Sequence, residues 1–166
     1  MGMYDNIRDV VKVFRFDEEL NRLLYYPPED LFAEPPTPDP LDSSLPDVLE
    51  LDEDWSIRDD RIMTIAKADD LEEKALCRVY VYAGRRNPQS QNYAAATQEL
   101  IIDILCHADF EKDLRSMRIS DKINNLLVHE RITGLGKMDY SQGTPISAPN
   151  NYIGYRHVYS FGATKR

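Results

Sequence analysis

Asp103 and His107 are the pair in this chain best suited to proton transfer or metal binding, and Asp109 follows closely. On a helix, a spacing of four would bring the two side chains together. The β-branched run at 100–105 favours a strand instead, where the pair would share a face but stand about 13 Å apart, too far for one metal ion. We therefore expect a polar strand end, and we predict no metal site.

A second group of carboxylates follows the first predicted strand: Asp69, Asp70, Glu72 and Glu73. Such a cluster could hold the two metal ions of a nuclease. Acidic runs between strands are more often the first turn of a short helix, and Lys74 nearby favours that interpretation. The alternative function is thus a small metal-dependent nuclease, with a site formed by Asp69, Asp70, Asp103 and His107.

Other catalytic motifs are missing from the sequence. Gly134 and Gly136 before Lys137 lack the spacing of a phosphate-binding loop and follow a predicted helix, so we expect a tight turn with positive φ. Cys77 and Cys106 have no metal-ligand spacing and are expected to be buried thiols of an intracellular protein. We predict no catalytic residue and no cofactor.

The most unusual segment is residues 27–60, which we call the acidic arm. It holds seven of the ten prolines and twelve carboxylates against one cation, Arg58. Proline fixes φ and removes a backbone donor, so the arm favours extended backbone over helix or sheet. Its scattered hydrophobic residues are too many for a disordered tail. We expect it to order by lying across another surface, either of its own domain or of a neighbouring subunit.

The acidity of the chain is confined to this arm. The net charge of the 166 residues is −9, less negative than the arm alone, so the remainder is slightly positive. A broad basic face for duplex DNA is therefore not expected. An acidic DNA mimic that competes with DNA for a basic partner is a third possibility. No segment approaches 18 apolar residues, so we expect a soluble protein without membrane contact.

Hydrophobic periodicity predicts the order of elements. Two short helices or one kinked helix should precede the arm, with Asp5 and Asp17 as caps. An amphipathic helix is predicted at about 114–130, closed by Gly134. Between and after them the pattern predicts strands at 61–67, 76–84, the second half of 93–107, 135–140 and 152–161, a flexible tip at 84–92 and a loop around 141–145.

These elements predict an α+β fold. A mixed or antiparallel sheet of four or five strands would be packed by helices on one face and carry the long proline-rich acidic arm. We expect one domain, made of an N-terminal helical segment at 1–26, the arm at 27–60 and a core at 61–166. A sheet covered on one face leaves its edges for neighbouring subunits.

A subunit or partner interface should draw on the prolines and large side chains of the arm, the cationic tip and the last strand. The residues expected there are Pro27, Pro28, Leu31, Phe32, Leu41, Leu45, Trp55, Arg85, Arg86 and Tyr155. The chain has ten tyrosines, yet few basic residues are interleaved with them. They therefore fit a core edge or an interface better than a base-stacking surface.

The chain resembles the small neck proteins of tailed bacteriophages, in particular tail terminator and head-to-tail joining proteins. The resemblance covers about residues 61–162 and rests on the strand Cys77-Arg-Val-Tyr-Val-Tyr82, the run Glu99-Leu-Ile-Ile-Asp-Ile-Leu-Cys-His107, the segment Ile132-Thr-Gly-Leu-Gly-Lys137 and the last strand Tyr152-Ile-Gly-Tyr-Arg-His-Val-Tyr159. The segment from Tyr25 to Leu41 is similar more loosely.

The resemblance implies a structural, non-enzymatic virion protein. Such proteins form a ring, typically a hexamer, that caps the tail tube and docks the head connector around a channel for DNA. The implied partners are other copies of the chain, portal or adaptor proteins and the tail tube protein, with DNA passing through without sequence-specific binding. The implied location is the neck of the virion, after assembly in the host cytoplasm.

Overall fold

A computed structural model describes residues 2–90 and 92–164 of the chain. The helices are α1 Met3–Arg15, α2 Glu18–Tyr25, α3 Val48–Leu51, α4 Ser56–Arg61 and α5 Arg115–Leu127. The strands are β1 Ile62–Met63, β2 Cys77–Gln89, β3 Asn92–His107, β4 Asp139–Ile146 and β5 Tyr152–Thr164. Within the described ranges, no helix has the length and apolar character needed to cross a membrane.

The five strands form one mixed sheet in the order β1-β2-β3-β5-β4. β1 runs parallel to β2, and the other neighbouring strands are antiparallel. The predicted α+β class with a four- or five-stranded sheet is confirmed. The strand predicted in the second half of 93–107 is confirmed too, because Ile102 lies opposite Val81 of β2 and His157 of β5.

The core lies between one face of the sheet and the helices α1, α2 and α5. Side chains that alternate along β2 and β3 supply the sheet side, as the period of two predicts. The buried members include Val79, Val81, Leu100, Ile102, Ile104, Phe14, Leu24, Ile119 and Ile123. Cys77 and Cys106 are free and buried in this layer, as expected, and burial raises the pKa of Cys106.

The two N-terminal helices begin at different kinds of cap. Asp17 caps α2 as predicted, because its carboxylate accepts the backbone N–H of Leu20 at 2.8 Å. The prediction that Asp5 is the cap of α1 is wrong: the N-cap residue is Gly2, and Asp5 lies inside the first turn. There its carboxylate accepts the Gly2 N–H at 3.2 Å, where an acid also complements the helix dipole.

Several predicted boundaries after the arm need correction. The first strand is two residues long, and α5 ends at Leu127 because Val128 is extended and bridges Met138. Gly134 does adopt the predicted positive φ, +73°, but it lies in the loop before β4 rather than at the helix end. The predicted loop at 141–145 is part of β4, an edge strand that tolerates Pro145.

The predicted flexible tip at 84–92 is largely strand. β2 continues to Gln89 and pairs with β3 beyond a register shift between Ala83 and Arg86. The composition misled the prediction, because glycine and proline at a bulge or hairpin end are compatible with pairing. Gln91, which belongs to the predicted tip, lies outside the described residues.

Candidate interaction surface

The second half of the acidic arm is fixed against α2 of its own chain. The Arg22 guanidinium donates to the backbone carbonyls of Asp42 and Leu45, at 2.8 and 3.0 Å, and to the Asp47 carboxylate at 2.7 Å. Arg22 is itself buried. Satisfying three acceptors with one buried guanidinium explains why this stretch lies across α2 despite its prolines.

Farther along the arm, a buried ion pair positions its tryptophan. The Asp52 carboxylate is fully buried and accepts the Arg58 side chain at 2.7 Å. The Arg58 guanidinium lies 3.5 Å from the centre of the Trp55 ring, a cation–π contact. Trp55 meets the Phe16 ring edge-on at 5.5 Å. The arm thus places Trp55 beside the end of α1.

Trp55 forms one wall of a surface groove of about 500 Å³ along α1, which we call the α1 groove. The groove combines aromatic side chains with a row of cations: Tyr4, Phe16 and Trp55, and Arg8, Lys12 and Arg15. Tyr4 and Phe16 are 76% and 56% exposed. Sequence analysis predicted Trp55 at an interface but missed the groove. The available signal was Phe16, an aromatic residue that does not share the spacing of the predicted core face.

The first half of the arm projects a short loop. Residues 30–37, here called the Phe32 loop, are closed by two backbone hydrogen bonds of 2.9 and 2.8 Å between Asp30 and Thr37. Leu31 and Phe32 directly follow Asp30 and are 68% and 97% exposed. A phenylalanine held almost entirely in solvent by a closed loop is a typical anchor for a partner surface.

The other predicted interface residues do not converge on one surface. Pro27 and Leu41 are exposed, while Pro28 and Leu45 are half-buried. On the extended β2–β3 hairpin, Arg85 is exposed and Arg86 donates to Gln98 at 3.0 Å. Tyr155 is half-buried on the sheet, 4.9 Å from the His157 ring. The predicted set is spread over three parts of the subunit: the arm, the hairpin and the strand β5.

Most of the acidic cluster at 69–73 lies on a short 3-10 helix, Asp69–Glu72, whose Asp70 pairs with an arginine. Both oxygens of Asp70 accept from Arg78, at 2.9 and 3.0 Å, and Arg78 is fully buried on β2. Arg78 also pairs with Asp60 at 2.9 Å. The guanidinium hydrogen bonds hold the pKa of Asp70 well below its usual range. Asp70 is thus positioned to balance a buried cation.

We expect Asp70→Asn to lower the free energy of unfolding at pH 7 by about 1.5–3 kcal/mol, since it removes a charged hydrogen-bond pair. The folded pKa of Asp70 lies below the unfolded value, so its contribution is full above the unfolded pKa and disappears as pH falls through the folded one. In urea unfolding, the difference in free energy of unfolding between wild type and Asp70→Asn should therefore become smaller below about pH 4.

Asp69→Asn is the matched control for that measurement. Asp69 is exposed and makes no ion pair with any residue of the described chain, so the substitution should leave stability unchanged within about 0.5 kcal/mol. If the difference in free energy of unfolding between wild type and Asp70→Asn stays constant from neutral to acidic pH, Asp70 does not stabilise the fold as the charged partner of Arg78.

Asp103 and His107, the pair considered for proton transfer, form hydrogen bonds with different partners. Asp103 is buried and bonds Arg156 of β5 at 2.8 and 3.0 Å and the Tyr82 hydroxyl of β2. Burial, helped by this bond, raises the pKa of Tyr82 to about 12. His107 instead accepts the Asp109 N–H at 3.1 Å. In residues 2–90 and 92–164, no three His, Cys, Asp or Glu side chains are grouped to hold a metal ion.

A polar chain that sequence analysis missed links the sheet to α5. The Tyr140 hydroxyl lies 2.9 Å from His157 Nδ1, and His157 Nε2 lies 2.8 Å from Ser120 Oγ. Ser120 donates to the Ser116 carbonyl, so His157 Nε2 must donate to Ser120. The serine proton is therefore directed away from the imidazole, and burial lowers the pKa of His157. This arrangement fixes α5 on β5 rather than activating a nucleophile.

The fold defines a small α+β protein with a five-stranded mixed sheet, an exposed apolar loop and a cationic groove. The family model described as YomW matches residues 17–161, and the chain belongs to this family. A relative, the SPbeta prophage-derived uncharacterized protein YomW of Bacillus subtilis (strain 168), is 36% identical over 174 residues, which cover 96% of this chain and 98% of the relative. Its prophage origin supports a phage origin for this chain.

Among solved structures, a chain of the "Virion of native gene transfer agent (GTA) particle" is similar to this protein with a TM-score of 0.44 and 12% identity. The match covers 62% of this chain and 78% of that chain. A likeness at this level is too distant to support a shared fold or role.

Proposed function

We propose that this chain is a structural virion protein of a tailed bacteriophage and forms a ring at the neck. It would cap the tail tube and connect it to the head connector, in the manner of the tail terminator and head-to-tail joining proteins that it resembles. The observation that carries the proposal is membership of the YomW family, with a prophage-derived relative over nearly the whole chain.

The form of the subunit supports assembly. β4 is an edge strand whose residues are exposed or half-buried, and it pairs with β5 alone in the described sheet. An edge strand carries unpaired backbone groups that a neighbouring subunit can cover. The Phe32 loop and the α1 groove add two further exposed surfaces, and distinct surfaces on one subunit are what a head-to-tail ring requires.

The charge distribution suits a channel through which DNA slides. Twelve carboxylates are concentrated in the acidic arm. A wall rich in carboxylates repels phosphates, whereas a basic wall would hold DNA through counterion release. We therefore propose that DNA passes this protein without being bound.

Removing the chain from a phage that encodes it tests the proposal. We expect heads and tails to form separately and to remain unjoined, since the missing ring would be the connection between them. Supplying the wild-type chain in trans should restore joined particles in electron micrographs. Normal yields of joined, infective particles without the chain would refute the proposed role.

The enzyme alternative makes a different prediction for Asp103→Asn with His107→Gln. We expect this double variant to restore joined, infective particles like wild type, with stability lowered by about 1–3 kcal/mol through the lost Asp103 bonds. His107→Gln alone keeps those bonds and serves as the control for folding. If folded variants assemble joined particles that do not infect, a chemical role for this pair must be reinstated.

A further inference from the structure

The Phe32 loop combines two exposed apolar residues with acidic flanks. Leu31 and Phe32 project from it, and Glu29, Asp30 and Glu34 surround them in sequence. In the described part of the chain, none of these three carboxylates forms an ion pair. The loop therefore presents a hydrophobic anchor with unneutralised negative charge around it.

The α1 groove has the complementary character. Arg8 is paired with Asp5 at 3.0 Å, but Lys12 makes no ion pair with any described residue. Arg15 lies 3.8 Å from Asp59, and its buried Nε has no hydrogen-bond partner in the described structure. The groove thus offers aromatic walls together with cations that are only partly neutralised.

We infer that the α1 groove receives the Phe32 loop of a second copy of this chain. Phe32 and Leu31 would pack against Phe16 and Trp55, while the acidic flanks would face Lys12 and Arg15. An apolar centre with charged groups at its rim is the usual composition of a protein interface. The complementary charges fix which surfaces meet and speed their encounter.

The contact is heterologous, because the loop and the groove are separate surfaces of the same subunit. Each subunit would give its loop to one neighbour and receive the loop of another, and such contacts close into a ring when the rotation per subunit allows it. The inference rests on the proposed function, because the contact between loop and groove is the subunit contact that the proposed ring needs.

Disulfide trapping tests the contact in the purified full chain. Ala33→Cys places a thiol in the loop beside Phe32, and Thr64→Cys places one in the groove wall. The native Cys77 and Cys106 are fully buried and will not compete. Under mild oxidation, we expect the double variant to give a ladder of covalent oligomers. Each single variant can give dimers at most.

The control pairs Ala33→Cys with Lys137→Cys, an exposed position outside the groove. The loop–groove pair should react faster by about tenfold or more, because associated subunits hold the two thiols at high effective concentration. Equal rates for the two pairs would overturn the inference and leave the groove to a different partner.

Charge reversal in the trapping variant gives an independent check. We expect covalent oligomers to form several-fold more slowly with Lys12→Glu alone, and likewise with Glu29→Lys and Glu34→Lys together. Combining all three substitutions should restore the rate. All three positions are exposed, so the fold should be retained. Unchanged rates, or no restoration in the combination, would overturn the proposed pairing.

The two proposals fail in distinguishable ways. If particles contain this chain at the neck but the loop and groove thiols do not react preferentially, the contact is wrong and the proposed function stands. If the ladder forms but phage particles join normally without the chain, the contact stands and the neck role is wrong.

Discussion

Arg115→Met is expected to lower the free energy of unfolding by about 3–5 kcal/mol, the largest effect that we predict for a single side chain. Arg115 is fully buried at the start of α5. Its guanidinium donates to the Leu23 and Tyr26 carbonyls at the end of α2, both at 2.6 Å, and to Asp113 at 2.9 Å. Methionine fills the space but leaves the two carbonyls without their donor, and the Asp113 carboxylate keeps only its Arg118 partner.

Urea unfolding followed by circular dichroism measures this loss, and Arg118→Met is its control. Arg118 lies one turn farther along α5, is 28% exposed, and pairs with Asp39 and Asp113. Because the ion pairs of Arg118 are partly hydrated, Arg118→Met should lower the free energy of unfolding by about 1 kcal/mol or less. If the two substitutions cost the same, Arg115 does not join α2 to α5 as described.

Gly134→Ala is expected to lower the free energy of unfolding by about 2–4 kcal/mol, since it combines backbone strain with overpacking. Gly134 has φ of +73°, which side chains rarely adopt. A Cβ there would lie 2.2 Å from the Gly162 carbonyl oxygen and 2.7 Å from the Phe161 ring. The loop would have to leave β5, breaking the 2.7 Å hydrogen bond from the Leu135 N–H to Gly162.

Gly136→Ala provides the matched control, two residues away in the same loop. A Cβ at Gly136 meets no atom within 4 Å. Its stability should therefore match wild type within about 0.5 kcal/mol. Thermal unfolding of the two variants compares them directly. Equal melting temperatures would mean that the loop does not pack on β5 at Gly134.

Local patterns sufficed to predict α1, α2, α5 and the central strands. The expectation of extended backbone throughout the acidic arm was wrong, because the short helices α3 and α4 lie in its second half. The apolar spacing of Val10, Phe14 and Leu24 gives the buried faces of α1 and α2, and alternation gives the core side of β2 and β3. The strand β4 was harder to predict, because Gly143 and Pro145 lower its intrinsic propensity to form a strand. Its strand conformation depends on pairing with β5.

The candidate surface depended on tertiary contacts that no local pattern encodes. The Arg22 bonds that dock the arm span about twenty residues, and Trp55 reaches α1 through the Asp52–Arg58 pair. The exposed residues of the Phe32 loop could be predicted from their proline-rich context, where few partners are in reach. The α1 groove could not, because its aromatic wall comes from two distant segments.

Cryo-electron microscopy of the neck in purified particles of a phage that encodes this chain tests the central claim most directly. We predict a closed ring of copies of this five-stranded fold between the head connector and the tail tube. In that ring, the edge strands and Phe32 loops should face neighbouring subunits. Complete, infective particles whose neck contains no copy of this chain would contradict the account.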